Sequence, residues 1–385
     1  MASPPAPPLG SMTVEQFMAE VWQRRPALLR GAFPDFVDPI DPDELGGLAM
    51  EEAAESRLVR RTGDGPQDYA VEQGPFSEGT LAALPDTRWS LLVQAVDCWV
   101  PHVASLRDRF AFLPRWRIDD VMVSFAAPEG GVGPHFDHYD VFLIQGMGSR
   151  RWRVGPRCDR DTRLQAHGQL RLLPGFDPVE DWVLGPGDML YIPPGFAHDG
   201  VALTPSLTYS IGFRAPSAEQ VLIGLAGAVA EQSGEFARFV DAGRAPVSRA
   251  ESHIGSGDLS RLKQLVLDAV EDEEALSDWF ARFITEPKVE DLLDMLPIED
   301  AIDRLVMTEM LTLDPAARAA TIAGPDGTLV LYVNGEAYDV PADQSTWVQA
   351  FAAGQPVPAP IDPAGQTLAA WLFTVGGVMG EAEED

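Results

Sequence analysis

Residues 130–154, GGVGPHFDHYDVFLIQGMGSRRWRV, decide the fold of this chain and the chemistry that it can perform. The stretch is typical of a strand, a glycine-containing turn and a returning strand. Side chains alternate between the two faces of a strand, so His135 and Asp137 are expected on the same side. His198, in YIPPGFAHDG, follows an apolar run and a Pro-Pro-Gly turn. We therefore predict that these three side chains meet at one metal ion.

The predicted ligand set favours one kind of metal chemistry. Two imidazoles and one carboxylate on one face of a metal leave adjacent coordination positions open, which suits a non-haem Fe(II) that binds a cosubstrate and dioxygen together. His135, Asp137 and His198 are thus the predicted catalytic residues. Each signal alone is weak, because an isolated histidine on an apolar strand is usually a core residue and His-X-Asp is a short motif.

Arg150 strengthens this interpretation, since it follows His135 by fifteen positions, beyond a glycine-containing turn. An arginine at the far end of a pocket can hold the outer carboxylate of a dicarboxylate through a bidentate fork, which indicates 2-oxoglutarate. Continued alternation would place Arg150 and Trp152 on one face of the strand, and Arg151 and Arg153 on the other. The alternative is an ordinary surface charge on a hairpin.

Three motifs, HFDHYDVFLIQGMGSRRWRVG, PGDMLYIPPGFAHDG and SLTYSIGFRAP, resemble those of the JmjC-type ribosomal oxygenases. Within that family the similarity is to the bacterial arginine hydroxylases that act on large-subunit ribosomal protein number sixteen. The N-terminal segment VEQFMAEVWQRRPALLRGAF resembles the helix that leads into the double-stranded β-helix of the family. The resemblance covers most of the chain and is strongest at residues 119–216.

The resemblance implies an Fe(II)- and 2-oxoglutarate-dependent dioxygenase that hydroxylates the β-carbon of a protein arginine. Carried over by motif, the three predicted metal-binding residues become iron ligands and Arg150 becomes the anchor of the 2-oxoglutarate cosubstrate. The strand hydroxyls of Ser124, Thr208 and Ser210 are weaker candidates for the cosubstrate-binding pocket, because a strand hydroxyl often has no ligand.

Asp120, Met122 and Tyr139 are the predicted substrate-binding residues. Asp120 and Met122 fall on one face of a predicted strand, and Tyr139 shares a face with His135 and Asp137. The set fits an arginine side chain, because the carboxylate can pair with the guanidinium, the phenol can stack on it and the thioether can pack on the methylenes. These positions also match the substrate-binding positions of the resembling family. From the residues alone, a solvated acid at a strand end is an equal interpretation of Asp120.

The predicted fold is mixed: an all-β double-stranded β-helix, the jelly roll of JmjC and cupin proteins, then an α-helical dimerisation region and a small winged-helix-like α+β domain. The expected domains are residues 1–215, 216–300 and 301–385. Short runs separated by Gly and Pro predict strands at residues 58–61, 121–125, 139–145, 151–154, 189–192 and 207–213. Apolar periodicity predicts helices at residues 13–29, 218–231, 259–271, 274–284 and 289–296. An Asn-Gly turn predicts a hairpin of residues 328–333 and 336–340.

Composition bounds the partners and the compartment. The formal net charge is −31, from 59 acidic and 28 basic residues, which favours a basic partner such as a ribosomal protein. The two cysteines form no CxxC pair, so a reducing cytoplasm is the expected location. The proline-rich first twelve residues are typical of a disordered leader without a signal peptide, and no run is apolar enough to span a membrane. No association with a membrane is therefore expected.

The C-terminal domain is expected to contact protein rather than nucleic acid. Residues 301–385 contain two basic residues, Arg304 and Arg318, against twelve acidic ones, so phosphate binding is disfavoured although winged helices are often associated with DNA. Three alternative functions stay open at this point: hydroxylation of histidine, N-methyl demethylation, and a cupin-like metal-binding interaction protein without turnover.

Overall fold

The computed structural model describes residues 6–65, 68–165, 169–232, 238–245, 254–271, 273–324 and 327–379. Its contacts divide the chain into two compact units. The first unit comprises Met1–Ala215, Lys288–Leu293 and Asp314–Ala316. The second comprises Pro216–Pro287, Asp294–Leu313 and Ala317–Asp385. All of the predicted site residues belong to the first unit.

Two antiparallel sheets form the first unit. Its strands, within the described residues, are β1 (Ala27–Leu29), β2 (Ser56–Arg61), β3 (Tyr69–Gln73), β4 (Trp89–Val93), β5 (Ile118–Ala126), β6 (Val141–Gln145), β7 (Arg150–Arg157), β8 (Glu180–Leu184), β9 (Met189–Ile192), β10 (Phe196–Ala202) and β11 (Ser206–Phe213). The large sheet has the strand order β1-β9-β6-β11-β5-β4-β2-β3, and the small sheet has the order β10-β7-β8. This arrangement confirms the predicted jelly roll.

The large sheet is buried on both faces, which explains why its central strands are nearly continuous apolar runs. On β6, Val141 and Leu143 pack in a cluster with Trp152 of the small sheet. The intervening Phe142 and Ile144 pack instead in the main core of the unit, with residues of the N-terminal helices. Successive side chains of β6 therefore pack into two different hydrophobic cores.

Short helices cover the outer face of the large sheet. They are α1 (Val14–Glu20), α2 (Pro42–Leu48), α3 (Glu78–Ala82), α4 (Val96–Trp99) and α5 (Pro101–Ala104). Thr13 caps α1 in a capping box with Gln16, as a Thr at the start of a helix predicts.

The helix predicted at residues 13–29 is too long. Gln23 has a left-handed φ of 57°, and Pro26 follows, so the helical conformation does not continue. The next residues form β1, which pairs with β9 in an antiparallel register. Tertiary pairing thus overrides the local helical pattern at this point.

The prediction of a disordered N-terminal leader is wrong for its described part. Residues 1–5 lie outside the described residues. Leu9 is only 2 % exposed and packs in the main core, and Met12 packs against the same core, so burial of apolar side chains anchors this segment.

The second unit joins helices to a small antiparallel sheet. Its helices are α6 (Ala218–Gln232), α7 (Ser256–Val270), α8 (Glu273–Thr285), α9 (Ile298–Met307), α10 (Ser345–Ala352) and α11 (Pro363–Thr374). Its strands are β12 (Met310–Leu311), β13 (Ala319–Ala323), β14 (Leu329–Val333), β15 (Glu336–Val340) and β16 (Val357–Pro358). Asn334 and Gly335 have φ values of 51° and 84°, so the predicted Asn-Gly hairpin is confirmed.

The helix predicted at residues 289–296 is wrong. Only a short 3-10 turn, Glu290–Leu292, forms there, because Pro287 and Pro297 confine the segment and Lys288 is held by ion pairs to the first unit's own strand β5. Among the helices of the described residues, none combines the length and the apolar character that a bilayer span requires.

Candidate metal centre

His135, Asp137 and His198 converge as predicted. One potential ligand atom from each lies within 4.8 Å of the others. Asp137 Oδ2 is 3.9 Å from His135 Nε2 and 3.5 Å from His198 Nε2. Two nitrogens and one carboxylate oxygen at this spacing fit a single divalent metal ion, with the remaining coordination positions open to other ligands.

The backbone that carries these residues differs from the prediction. Residues 134–140 form no continuous strand, and His135 makes an isolated antiparallel bridge with His198. Each of the two residues donates its backbone N–H to the other's carbonyl, at 3.0 and 2.8 Å. A register irregularity in β10 between Phe196 and His198 lies beside the bridge. Bulges of this kind re-aim side chains next to functional sites.

Glycines let the ligand segment lie against β10. A Cβ on Gly131 would sit 2.4 Å from the carbonyl oxygen of Gly200, closer than real side chains approach. Gly133 has a φ of 83°, which favours glycine, and its carbonyl oxygen lies 2.8 Å from Nδ1 of His135. The GGVG segment thereby brings the first histidine to the second.

Both histidines present Nε2 to the centre. Nδ1 of His135 and Nδ1 of His198 donate to the carbonyl oxygens of Gly133 and Phe196, at 2.8 and 2.9 Å. A carbonyl can only accept, so each Nδ1 carries the proton and each Nε2 keeps its lone pair. Burial, and then the neighbouring His135, lower the pKa of His198 to about 4. His198 is therefore a neutral ligand at neutral pH.

Arg150 lies in the interior, as alternation along β7 predicted. Arg150 and Trp152 are buried, whereas Arg151 and Arg153 are exposed. The guanidinium donates to Thr208 Oγ1 at 3.2 Å and to Ser124 Oγ at 3.4 Å, and it stacks over Trp152 at 5.3 Å.

No carboxylate forms a direct ion pair with Arg150 within the described residues, and Asp199 acts on the guanidinium only through its charge. The Nε of Arg150 is buried without a hydrogen-bond partner, and burial lowers the pKa of the guanidinium to about 10. A buried cation with an unused donor is costly unless an anion joins it, so this pocket is built for a carboxylate.

The hydroxyl candidates divide into two kinds. Ser124 and Thr208, which pair across β5 and β11, both contact Arg150. Ser210 is buried on the same face of β11, but no hydrogen bond of its side chain is found in the described part of the chain. Thr208, a weaker candidate in the sequence, is therefore one of the two hydroxyls that contact Arg150.

The predicted substrate-binding residues lie near the metal centre. Partial burial, and then the charges of Asp137 and Asp120, raise the pKa of Tyr139, and a hydrogen bond to Asp137 adds to the shift. The phenol is thus close to both carboxylates, and the side chain is 43 % exposed. Met122 is partly exposed on the same face of β5 as Asp120. The arrangement has a solvent-accessible side next to the metal ligands.

One residue of this region had no signal in the sequence. Lys288 Nζ lies 2.8 Å from Asp119 Oδ2 and 2.9 Å from Asp120 Oδ2. Asp120 is therefore a buried, ion-paired carboxylate and not a solvated acid at a strand end. The contact joins residues 168 positions apart, so no local pattern could reveal it.

Comparison with known proteins gives the family. The chain is 40 % identical over 333 residues to the ribosomal protein uL16 3-hydroxylase of Escherichia coli (strain K12), covering 84 % of this chain and 85 % of that protein. The chain belongs to the JmjC-type ribosomal oxygenases. It is also 32 % identical to a probable ribosomal oxygenase of Haemophilus influenzae, over 85 % of this chain and 82 % of that protein.

Two family models match separate parts of the chain and agree with this assignment. A JmjC domain model matches residues 105–221, and a ROXA-like winged-helix model matches residues 268–363. This ribosomal oxygenase is similar in structure to YcfD of Escherichia coli, solved in complex with cobalt and 2-oxoglutarate, with a TM-score of 0.83 and 36 % identity. The match covers 97 % of this chain and 99 % of that chain. The predicted succession of jelly roll, helices and winged helix is confirmed.

Proposed function

We propose that this ribosomal oxygenase is an Fe(II)- and 2-oxoglutarate-dependent hydroxylase of an arginine in large-subunit ribosomal protein uL16. The observation that carries the proposal is the cluster of two histidines and one aspartate, together with a buried arginine that forms no ion pair with a carboxylate of the described residues. The relatives support it, since one is named a uL16 3-hydroxylase and another was solved with cobalt and 2-oxoglutarate.

His135, Asp137 and His198 are the proposed ligands of Fe(II). Bound iron, with 2-oxoglutarate and dioxygen, supplies the oxidising power to place oxygen on an unactivated carbon. The protein's part is to aim both imidazoles with Nε2 toward the metal, which the Nδ1 hydrogen bonds to backbone carbonyls do. Because these orienting partners belong to the backbone, the ligand geometry is set before any metal arrives.

Arg150 is the proposed anchor of the outer carboxylate of 2-oxoglutarate. Ser124 and Thr208 hold the guanidinium in place, and Trp152 supports one face. Burial excludes water from the ion pair, so the carboxylate gains more from the contact than it would at the surface. Ser210 stays a proposed, more distant member of the pocket.

The proposed substrate group is a guanidinium. Asp120 is a buried carboxylate close to the metal ligands, and Tyr139 and Met122 border the accessible side. A carboxylate favours a cationic side chain, so it favours arginine over neutral histidine. The net charge of −31 also attracts a basic ribosomal protein and speeds the encounter.

The function is tested by intact-mass analysis of recombinant uL16 after incubation with this protein, Fe(II), ascorbate and 2-oxoglutarate. We expect the gain of one oxygen on a single arginine, located by fragmentation, and no gain when 2-oxoglutarate is omitted. Succinate formed with other basic proteins but not with uL16 would discard this substrate. Absence of succinate with every substrate would favour a metal-binding protein without turnover.

A homodimer formed through residues 216–300 is also proposed, with the cytoplasm as its location. Support for the dimer comes from large apolar side chains that α6 and α7 leave exposed: Leu222, Ile223, Leu259, Leu262 and Val266. Contiguous exposed apolar side chains mark protein contact surfaces. The two cysteines, Cys98 and Cys158, form no disulfide in the described structure, which is consistent with a reducing compartment. The acidic winged-helix domain is proposed to contact protein and not nucleic acid.

Replacing Leu262 by glutamate is expected to convert the dimer into a monomer. Leu262 is 50 % exposed in this chain, so a charge there costs the monomer little but is buried in the proposed interface. The dissociation constant should rise at least about a hundredfold, measured by light scattering across a concentration series. Ser260→Glu is the matched control, because Ser260 lies about 200° around the same helix from Leu262. Equal masses of wild type and Leu262→Glu would contradict this dimer surface.

A further inference from the structure

Lys288 is the cation that the structure places on the proposed substrate-binding carboxylate. Its Nζ bridges Asp119 Oδ2 and Asp120 Oδ2 at 2.8 and 2.9 Å. The Asp120 side chain is 8 % exposed and that of Lys288 is 27 % exposed. The ammonium is thus the more exposed partner of a carboxylate that is itself buried.

The two carboxylates are held in different ways. Asp120 Oδ2 also accepts the backbone N–H of Ala95 at 3.1 Å, so the backbone keeps this carboxylate in position. Asp119 Oδ1 accepts from Arg214 Nε at 3.1 Å. Lys288 is shared between the two acids, and neither acid depends on it alone for a partner.

We propose that Lys288 is a specificity-determining residue, whose ammonium competes with the substrate side chain for Asp120 and yields only to a guanidinium. The inference rests on the proposed function, because it assigns Asp120 to the substrate guanidinium. It adds a group that the substrate must displace or share. Specificity of this kind arises from what the site opposes as well as from what it attracts.

The exchange favours arginine for a physical reason. A guanidinium can form two parallel hydrogen bonds to a carboxylate, whereas an ammonium offers a point charge. A substrate lysine would therefore replace one ammonium by another and gain little. A neutral histidine would leave the carboxylate without its cation.

Lys288 keeps a carboxylate partner when the substrate displaces it from Asp120. When a guanidinium takes Asp120, the ammonium keeps its contact with Asp119, so the displacement leaves no cation unpaired. Burial opposes the charge of Lys288, but Asp120 and Asp119 together raise its pKa, so the competitor is charged throughout the neutral range.

Lys288→Met tests the inference, because methionine keeps the length of the side chain and removes the charge. The chain has only one other lysine, Lys263, and Lys263→Met is the matched control on an exposed face of α7. KM and kcat are measured for uL16 and for uL16 whose target arginine is replaced by lysine. KM for 2-oxoglutarate serves as the internal reference.

We expect Lys288→Met to lower KM for uL16 about fivefold, and to reduce the preference for arginine over lysine about tenfold. Lys288→Arg should raise KM for uL16, because an arginine competes more strongly for Asp120. KM for 2-oxoglutarate and every constant of Lys263→Met should match the wild type. A rise of KM in Lys288→Met with rescue by Lys288→Arg would overturn the proposal, since Lys288 would then only orient Asp120.

A second measurement on the wild-type protein covers the case in which Lys288→Met does not fold. Selective ¹³C labelling of lysine gives two side-chain resonances, and Lys263→Met assigns them. The Lys288 resonance should shift when uL16 is added, and should stay in place with the lysine-substituted uL16. A resonance that does not move with bound uL16 would overturn the inference. Failure of wild type to hydroxylate uL16 would count against the proposed function and not against this step alone.

Discussion

Alanine at His135 or Asp137 is expected to abolish hydroxylation of uL16, with kcat lowered by more than about a hundredfold. Each variant removes one of three ligand atoms that lie within 4.8 Å of one another. Loss of one ligand lowers the affinity of the site for the metal. It also removes the constraint that keeps the open coordination positions next to one another. Product is measured by intact mass, and metal affinity is measured by calorimetry with Mn(II) in the absence of oxygen.

The control for this loss is His138→Ala, a histidine of the same segment that is exposed and lies outside the ligand group. His138→Ala should keep the metal affinity and kcat of the wild type. Thermal melting should be similar in all three variants, since His135 and Asp137 have side chains that are 22 % and 24 % exposed and fill no core. Activity like that of the wild type in His135→Ala or Asp137→Ala would refute the metal assignment.

Arg150→Met is expected to raise KM for 2-oxoglutarate by about thirtyfold to a thousandfold, because it leaves the outer carboxylate of the cosubstrate buried without its charged partner. Binding of uL16 should change much less, since Arg150 contacts β5 at Ser124, whereas the proposed substrate-binding residues Asp120 and Met122 lie nearer the start of that strand. Arg150→Lys should fall between, because an ammonium keeps the charge but cannot form the bidentate pair. Steady-state kinetics with varied 2-oxoglutarate distinguishes these variants.

A measurement of thermal stability separates the proposed role of Arg150 as cosubstrate anchor from a role in holding the fold together. Arg150 is 4 % exposed, and the Nε of its guanidinium has no hydrogen-bond partner in the described structure. Removing such a buried cation should stabilise the protein without cosubstrate, so Arg150→Met should melt at a higher temperature than the wild type. Addition of 2-oxoglutarate with metal should raise the melting temperature of the wild type strongly, but not that of Arg150→Met.

Arg151→Ala is the matched control for Arg150. Arg151 is the next residue of β7, it is exposed, and it pairs with Asp181 through Nε at 2.7 Å. Its loss should leave KM for 2-oxoglutarate unchanged. An unchanged KM in Arg150→Met, or an equal rise in Arg151→Ala, would remove Arg150 as the anchor.

The sequence analysis did not predict β10, which carries His198, or the edge strands β3 and β8. β10 contains FAHDGVA, whose polar residues give no apolar alternation, because one of its faces serves the metal centre. β3 and β8 lie at sheet edges, with mostly exposed side chains that resemble loops in sequence. The central strands β6, β9 and β11 were predicted closely, because burial on both faces requires apolar runs.

The convergence of His135, Asp137 and His198, the inward position of Arg150, the jelly roll and the family could all be predicted from the sequence. These features depend on residue type and on short-range spacing: a histidine and an aspartate two positions apart, an arginine on the inward parity of a strand, and glycines where two backbones approach. Such patterns can be read because the period of a strand is local.

Only the tertiary structure decided which side chains meet across long distances along the chain. It placed His198 in a backbone bridge with His135 where a regular strand was expected, and it set Lys288 on Asp119 and Asp120. An ion pair between residues 168 positions apart leaves no periodic trace, since any surface lysine would look the same in the sequence. The cluster of His135, Asp137 and His198 was therefore predictable from the sequence, whereas the ion pairs of Lys288 became visible only in the folded chain.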